Sequence, residues 1–383
     1  MFRLKKTNDL TCLLRYNDTM NKRVVLLIMD GYGVGEAPDA DFFGDIGANT
    51  CQHTMGENPN LFLPTLKKLG LLDIAPKNQL IEINPNKDTL SGISEMFGSI
   101  LPKLDTFPTG IPIELIQKLE AAMGVKTLFG KSASGTVIMK ELGLEHLHTG
   151  FPILYTSQDS VLQLLAHEEV IAPSLLYFYC QIIRDLVNPL YTIGRVIARP
   201  FIGTSPDTFQ RTTRRKDFVY HSQKNPILLS LKGRGVEIFG TKIIVDIFGQ
   251  DIIQLFPGKN NKELFHNLEQ VFQIDTQYRH SLFIVDLEDF DMLYGHRRDP
   301  IGYGHALSEF DNFLYSFLRL IQKEDQIIIT ADHGNDPTFK KHTDHTRENV
   351  PLIQINSNHE TLMHGTCFGF NKISEIIQQY FNA

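Results

Sequence analysis

The chain has 383 residues, 42% apolar and 21% charged, an ordinary globular composition with room for two or three domains, or one large core carrying an insertion. A net charge of −7 excludes the broad basic field that nucleic acid requires, and no apolar run is long enough to span a membrane. Cys12, Cys51, Cys180 and Cys367 are scattered without CxxC spacing, which points to reduced thiols in a cytoplasmic protein.

Residues 1–19 carry Arg3, Lys5 and Lys6, and Asn8, Asp9, Arg15 and Asp18 break up the stretch after them, so no secretory signal is expected. They are expected to form a loose extension before Met20. The run Val24 to Met29 then reads as a buried strand delivering Asp30, with Gly31, Gly33 and Gly35 behind it. Glu36 stands where a dinucleotide fingerprint needs its third glycine, so that reading fails. Instead the glycines let the backbone pass close to a site at the carboxyl end of a strand, where open α/β sheets bind ligands. Leu63 to Gly70 predicts a short helix stopped by glycine. Asn84 to Gly92 predicts a loop. Thr89 within it is a candidate nucleophile only in the company of metal ligands; alone, such a threonine makes local hydrogen bonds.

From about residue 104 to 221 the texture changes. Phe107 to Pro112 is turn-rich, and Ile116, Leu119 and Met123 predict a helix face ending at Gly124. Ser157, Asp159, Arg199, Arg211, Arg214 and Arg215 are spread through this block. Arginine forks suit a phosphate monoester, although charged loop residues are more often plain surface. The block reads as an inserted cap. After residue 222 the α/β texture resumes: Pro226–Leu231, Val236–Phe239 and Leu282–Leu287 are strand-like. Leu307, Phe310, Leu314, Phe317 and Ile321 mark the core stripe of a long helix. Gln326–Thr330 predicts a short buried strand ending in Asp332, His333 and Gly334. A strand over Val350–Ile355 and a helix from about Asn371 close the chain.

The strand ends collect Asp30, Asp291, His296, Asp332, His333 and His345. Aspartate and histidine together suit divalent metals of intermediate hardness. Three acids and three imidazoles complete two metal sites once a bridging nucleophile is added. Thr89 needs that company, because an unassisted hydroxyl is almost never ionised at neutral pH. Glu288 and Asp289 precede Asp291 without fitting the five-residue step to His296. His342 is a rival to His345. His167, in a run read as helical, is expected to be structural, and His53, His146, His148 and His305 have no partner in sequence.

At this point the sequence resembles the phosphopentomutase family of the alkaline phosphatase superfamily. The resemblance runs over nearly all of the chain after Met20 and rests on long blocks: Asp30 to Ala40, Lys87-Asp88-Thr89, Tyr155 to Gln163, Ala166 to Glu169, Gly194 to Phe201, Phe290 to Asp299 and Ala331 to Thr338. It implies an α/β fold, an alkaline-phosphatase-like core sheet flanked by helices (residues 20–103 and 222–383) with an inserted α+β cap (residues 104–221). It implies that Thr89 is the phosphorylated nucleophile. Asp30, Asp332 and His333 match the ligands of one manganese, and Asp291, His296 and His345 those of the other, giving two Mn²⁺ per chain. Ser157, Asp159, Arg199 and Arg214 match the cap surface that reads the pentose phosphate. The implied reaction interconverts the 1- and 5-phosphates of ribose and deoxyribose, small-molecule partners, with a sugar bisphosphate as activator. A cap suits a mutase, which must keep water from the phosphoryl group. The chain departs from the family's usual residues at Asn86, Ile93 and Ser94, around the nucleophile, and has an apparent extra residue around Lys242–Asp246. A phosphomonoesterase on the same core, or a metal-binding relative with impaired catalysis, is the alternative.

Overall fold

The computed structural model describes residues 22–73, 77–157, 160–220, 225–273 and 280–382. The N-terminal extension and Asp159 lie outside the described residues.

Val24 to Met29 are fully buried, because their strand, Lys22–Ile28, has a parallel neighbour on each edge and packed layers on both faces. Each such side chain contributes about 2 kcal/mol of burial. One neighbour is His280–Asp286, in register so that Ile28 lies opposite Asp286. The other is Asp325–Thr330, with Ile28 opposite Thr330. All three strands therefore end at one level, and the segments beyond them emerge side by side. Val236–Gly240 and Gln254–Leu255 extend the parallel part, while Ile353–Ile355 and Thr361–Leu362 finish the seven-stranded sheet antiparallel. The helix Pro300–Phe317 presents Leu307, Phe310, Leu314 and Phe317 to the core as the stripe requires. Ile321 falls beyond its end.

A second sheet lies within the residues between the two parts of this core. Leu128–Ser132, Ile153–Thr156, Val161–His167, Arg195–Ile202 and Gln210–Arg211 follow in order, and Lys216–Val219 also pairs with Arg195–Ile202. Along Arg195–Ile202 the side chains alternate. Val196 and Ala198 are buried in a core with the helix Pro173–Val187, which leaves Arg195, Ile197 and Arg199 on the other face. The mixed α/β class with helices on its sheets agrees with expectation.

Three local expectations change. Pro226–Leu231 is a helix, Pro226–Gly233, because Asn225 caps its first turn through Ile227 and Leu228 N–H and proline suits the first helical position. His167 ends a strand instead of lying in a helix, and its ring meets the Gly203 carbonyl at 2.9 Å. The stretch Val350–Ile355 is divided: Val350–Pro351 pairs with Gln79–Ile81 in a small third sheet, whereas Ile353–Ile355 joins the main one.

Candidate active site

The level ends of the three central strands set out the site. Asp30 lies two residues past its strand, Asp332 and His333 just past theirs, and Asp291 in a π-helical turn, Phe290–Gly295, beyond the third. The wide turn puts Asp291 and His296 on one side, with Asp291 Oδ2 3.2 Å from His296 Nε2. Asp30, Asp332 and His333 offer ligand atoms that all lie within 4.8 Å of one another, and so do Asp291, His333 and His345. The first group is the trio anticipated from sequence. In the second, His333 stands nearer than the division assumed, while His296 adjoins through a 3.1 Å separation of its Nε2 from His345 Nε2.

The backbone turn that carries Asp30 is built for close approach. Gly31 has φ +76° and donates its N–H to Asp332 Oδ1, and a Cβ there would meet Asn335 and Asp291. Asn335 in turn donates to Asp291 Oδ1 at 2.6 Å. Arg298 fastens the remaining segments: it donates to Asn335 Oδ1, to Gly295 O, and to the His342 and Asp344 carbonyls. One guanidinium thus binds the turn of His296 to the loop of His345.

Thr89 is not in a loop. It is the first residue of the helix Thr89–Met96, whose N-terminus Asp88 caps through Ser91. The proline and asparagines before it are indeed irregular, but the cap starts a helix at once. Gly92 lets this helix touch the main sheet: a Cβ there would lie 2.0 Å from the Asp332 carbonyl oxygen. The Thr89 hydroxyl consequently comes within 3.1 Å of His333 Nε2, and Thr89 is buried.

The donor set fits divalent cations. Asp30 Oδ1 and Asp332 Oδ2 are buried without a hydrogen-bond donor. His333 Nδ1 meets Gly334 O at 3.1 Å and His296 Nδ1 meets Thr343 O at 2.8 Å. In the tautomer these carbonyls select, each Nε2 turns a lone pair toward the carboxylates, as metal-ligating imidazoles do. Electrostatics agree. Burial, followed by the charge of Asp332, pushes Asp30 well above the usual carboxylate range. Burial opposes a charged His333, but the neighbouring Asp332 carboxylate outweighs it and lifts the imidazole to about 9. A positive charge is wanted here.

A cavity of about 210 Å³ opens from this cluster toward the second sheet. Thr89, Asp30 and His345 line one side and Arg195, Arg199, Arg211 and Arg215 the other. Ser157 lies in the wall, as expected, and Arg199 donates to Gln163 Oε1 at 3.0 Å. Arg214, expected beside them, is absent from this wall: its exposed side chain donates to Glu168 Oε2 at 2.8 Å, and Arg215 occupies the inward position. Arg215 is fixed by two 2.7 Å bonds to Asp217. Burial works against the Asp217 charge, yet Arg215 pulls this carboxyl down to about 2. Arg195 was missed as a site residue, although its alternation with Ile197 and Arg199 is written in the strand. His342 is held by Asp45 at 2.7 Å and is no rival ligand, while His53 meets Asp336 at 2.5 Å.

Among the described residues no helix is long and apolar enough to cross a membrane. The chain matches the metalloenzyme superfamily over residues 22–382. Curated relatives include the phosphopentomutase of Dictyoglomus thermophilum, 41% identical over 94% of this chain and 95% of the relative. That of Syntrophotalea carbinolica is 43% identical over 87% of each, and that of Caldanaerobacter subterraneus 42% identical over 95% of each. The family match runs through all three sheets and every strand end described above, and with relatives this similar the chain belongs to the phosphopentomutase family of the metalloenzyme superfamily.

Proposed function

We propose that this chain interconverts ribose 1-phosphate and ribose 5-phosphate, and their deoxy forms, by way of a phosphothreonine at Thr89. The observation that carries this reading is the placement of Thr89. Its hydroxyl is 3.1 Å from His333 Nε2, at the positive end of a capped helix, and it faces a cavity whose far wall is arginine.

Asp30, Asp332 and His333 would hold one divalent cation and Asp291, His296 and His345 another, both Mn²⁺ in this reading. When bound, the two ions favour the ionised threonine hydroxyl and offset charge on the phosphoryl oxygens. The side chains do the rest. Phosphorylated Thr89 gives its phosphoryl group to the free hydroxyl of a bound pentose monophosphate, which becomes the bisphosphate. After the sugar reorients, Thr89 recovers a phosphoryl group from the other end and the isomeric monophosphate leaves. A sugar bisphosphate primes the unphosphorylated enzyme. Arg199, Arg195 and Arg215 hold the phosphate that is not reacting, and Ser157 adds a hydroxyl contact. In this reading residues 104–221 form a cap over a core of residues 20–103 and 222–383, closing to keep water from the phosphothreonine. The free Cys51, Cys180 and Cys367 suit a reducing cytoplasm.

The test supplies ribose 1-phosphate to the Mn²⁺-loaded chain with and without a sugar bisphosphate. Bisphosphate-dependent formation of ribose 5-phosphate is expected. Free phosphate as the main product would establish a phosphomonoesterase instead.

A further inference from the structure

Asn86 stands three residues before Thr89 and is buried. Its main chain is anchored to the core. The carbonyl accepts from Arg347 Nη1 at 2.7 Å, and that buried guanidinium is itself held by Glu82 and Asp39. Its side chain reaches the other way. The carboxamide donates to Pro102 O at 2.9 Å and to Asn84 Oδ1 at 2.8 Å, and its oxygen accepts from the Leu104 N–H at 2.8 Å. Pro102 O can only accept and Leu104 N–H can only donate, so the amide has one orientation and every polar group of it is used. Leu104 opens the inserted block. From there bonds lead to the arginine wall. Asp105 N–H donates to Thr192 O at 3.0 Å, and the Thr192 N–H and hydroxyl donate to Asp105 Oδ2 at 2.8 and 3.0 Å. The Ser160 hydroxyl donates to Asp105 O and accepts from Gly194 N–H at 2.9 Å. Arg195 follows, with its N–H on Ser160 O at 3.1 Å. Gly194 is also where the two sides touch: a Cβ there would lie 3.1 Å from Leu104 and 3.6 Å from Leu90, the neighbour of Thr89.

We propose that Asn86 is a positioning residue whose carboxamide clasps the start of the inserted block to the nucleophile's loop, and so sets how far Arg195 and Arg199 stand from Thr89. This role rests on the mutase reading above. The phosphoryl group on Thr89 must meet a sugar hydroxyl before it meets water, and the arginine wall holds the sugar in place. Such geometry is steep, a misplacement of ~1 Å costing ~10²-fold. Without the carboxamide, Leu104 N–H and Pro102 O lose their partner and the first residues of the block are free to shift. The wall then stands off and water enters. Water attacks phosphorus, the bond to Thr89 Oγ breaks, one water proton passes to Thr89, and inorganic phosphate leaves.

The Mn²⁺-loaded full-length chain and its Asn86→Ala variant are given ribose 1-phosphate with a sugar bisphosphate, and ribose 5-phosphate and inorganic phosphate are both measured. Asn86→Ala is expected to release about tenfold or more phosphate per isomerisation than wild type. A folded variant with the wild-type ratio of phosphate to product overturns the assignment and leaves the mutase reading standing, even where its rate is lower, since a lower rate alone reports lost structure. A folded variant that turns over neither sugar nor bisphosphate also overturns it, because Asn86 would then serve the nucleophile directly. Wild type that yields only free phosphate overturns the mutase reading and the clasp together. Should Asn86→Ala fail to fold, Thr192→Val decides. It removes the hydroxyl bonds to Lys103 O and Asp105 at the outer end of the same run of contacts, where the side chain is half-buried. A severalfold rise in the same ratio is expected of it, and no rise overturns the assignment.

Discussion

The hydroxyl of Thr89 stands 3.1 Å from Nε2 of His333, joining the first residue of one helix to a side chain just beyond a central strand. No other hydrogen bond engages that hydroxyl in the described structure, so its removal should cost chemistry and little stability. Thr89→Ala is expected to lower mutase kcat by ~10³-fold or more while leaving the unfolding midpoint within about 1 kcal/mol of wild type. Mass spectrometry after incubation with a sugar bisphosphate should find one added phosphate on wild type and none on the variant. Phosphate on another residue would remove Thr89 from its role.

Gly92 is where the nucleophile's helix touches the sheet. A methyl group there collides with the Asp332 carbonyl, which is backbone and cannot swing aside. Gly92→Ala should therefore destabilise the fold by roughly 1–3 kcal/mol, the usual cost of overpacking. It should also move Thr89 from the ligands, so activity falls further than the loss of folded protein explains. Urea unfolding and the rate per folded molecule together check this.

Arg298 reaches four acceptors across two segments and stands at φ +54°, a backbone setting that the surrounding bonds must maintain. Arg298→Met should loosen His296 and His345 together. The expected result is a ~10–100-fold weaker affinity for one of two Mn²⁺ ions, with the other unchanged. Calorimetric titration with MnCl₂ resolves the two. Equal weakening of both would show a general loss of structure instead.

Asp217 makes the fold sensitive to acid. Its folded carboxyl is pulled to about 2, below the ordinary value of 3.8, by the Arg215 pair. A depressed value means that the unfolded chain takes up its proton first as pH falls. The stabilisation is therefore complete above about pH 4 and disappears as pH drops through 2. Its size is about 2 kcal/mol. Asp217→Asn should lower stability by that order from neutral pH down to about 4, and the gap from wild type should close below it. A gap independent of pH from 7 to 2 would refute the account.

The central strands and their acids could be read in the sequence because the signals are local: an unbroken apolar run, then an aspartate. The ends of three such runs come together because the strands are parallel and level, and that follows from the class of sheet. Less local relations were hidden. Whether His342 or His345 faces the cluster depends on Asp45, almost the whole chain away. Arg214 and Arg215 are adjacent, and only the pairing of Asp217 with Arg215 decides which one points inward. Pro226–Gly233 misled because a short apolar run fits helix and strand alike, and Asn225 decided the matter.

Lys22–Ile28 lies between two strands from the last third of the chain. During synthesis its apolar run, Val24 to Ile28, emerges well before either partner strand and waits until Thr330 has been made. The intervening sheet can close on neighbours close in sequence, whereas Lys22–Ile28 must wait for partners about 250 and 300 residues further on. That gives the nascent enzyme a slow, late step and an aggregation-prone interval before it, and the catalytic centre is assembled only in that last step.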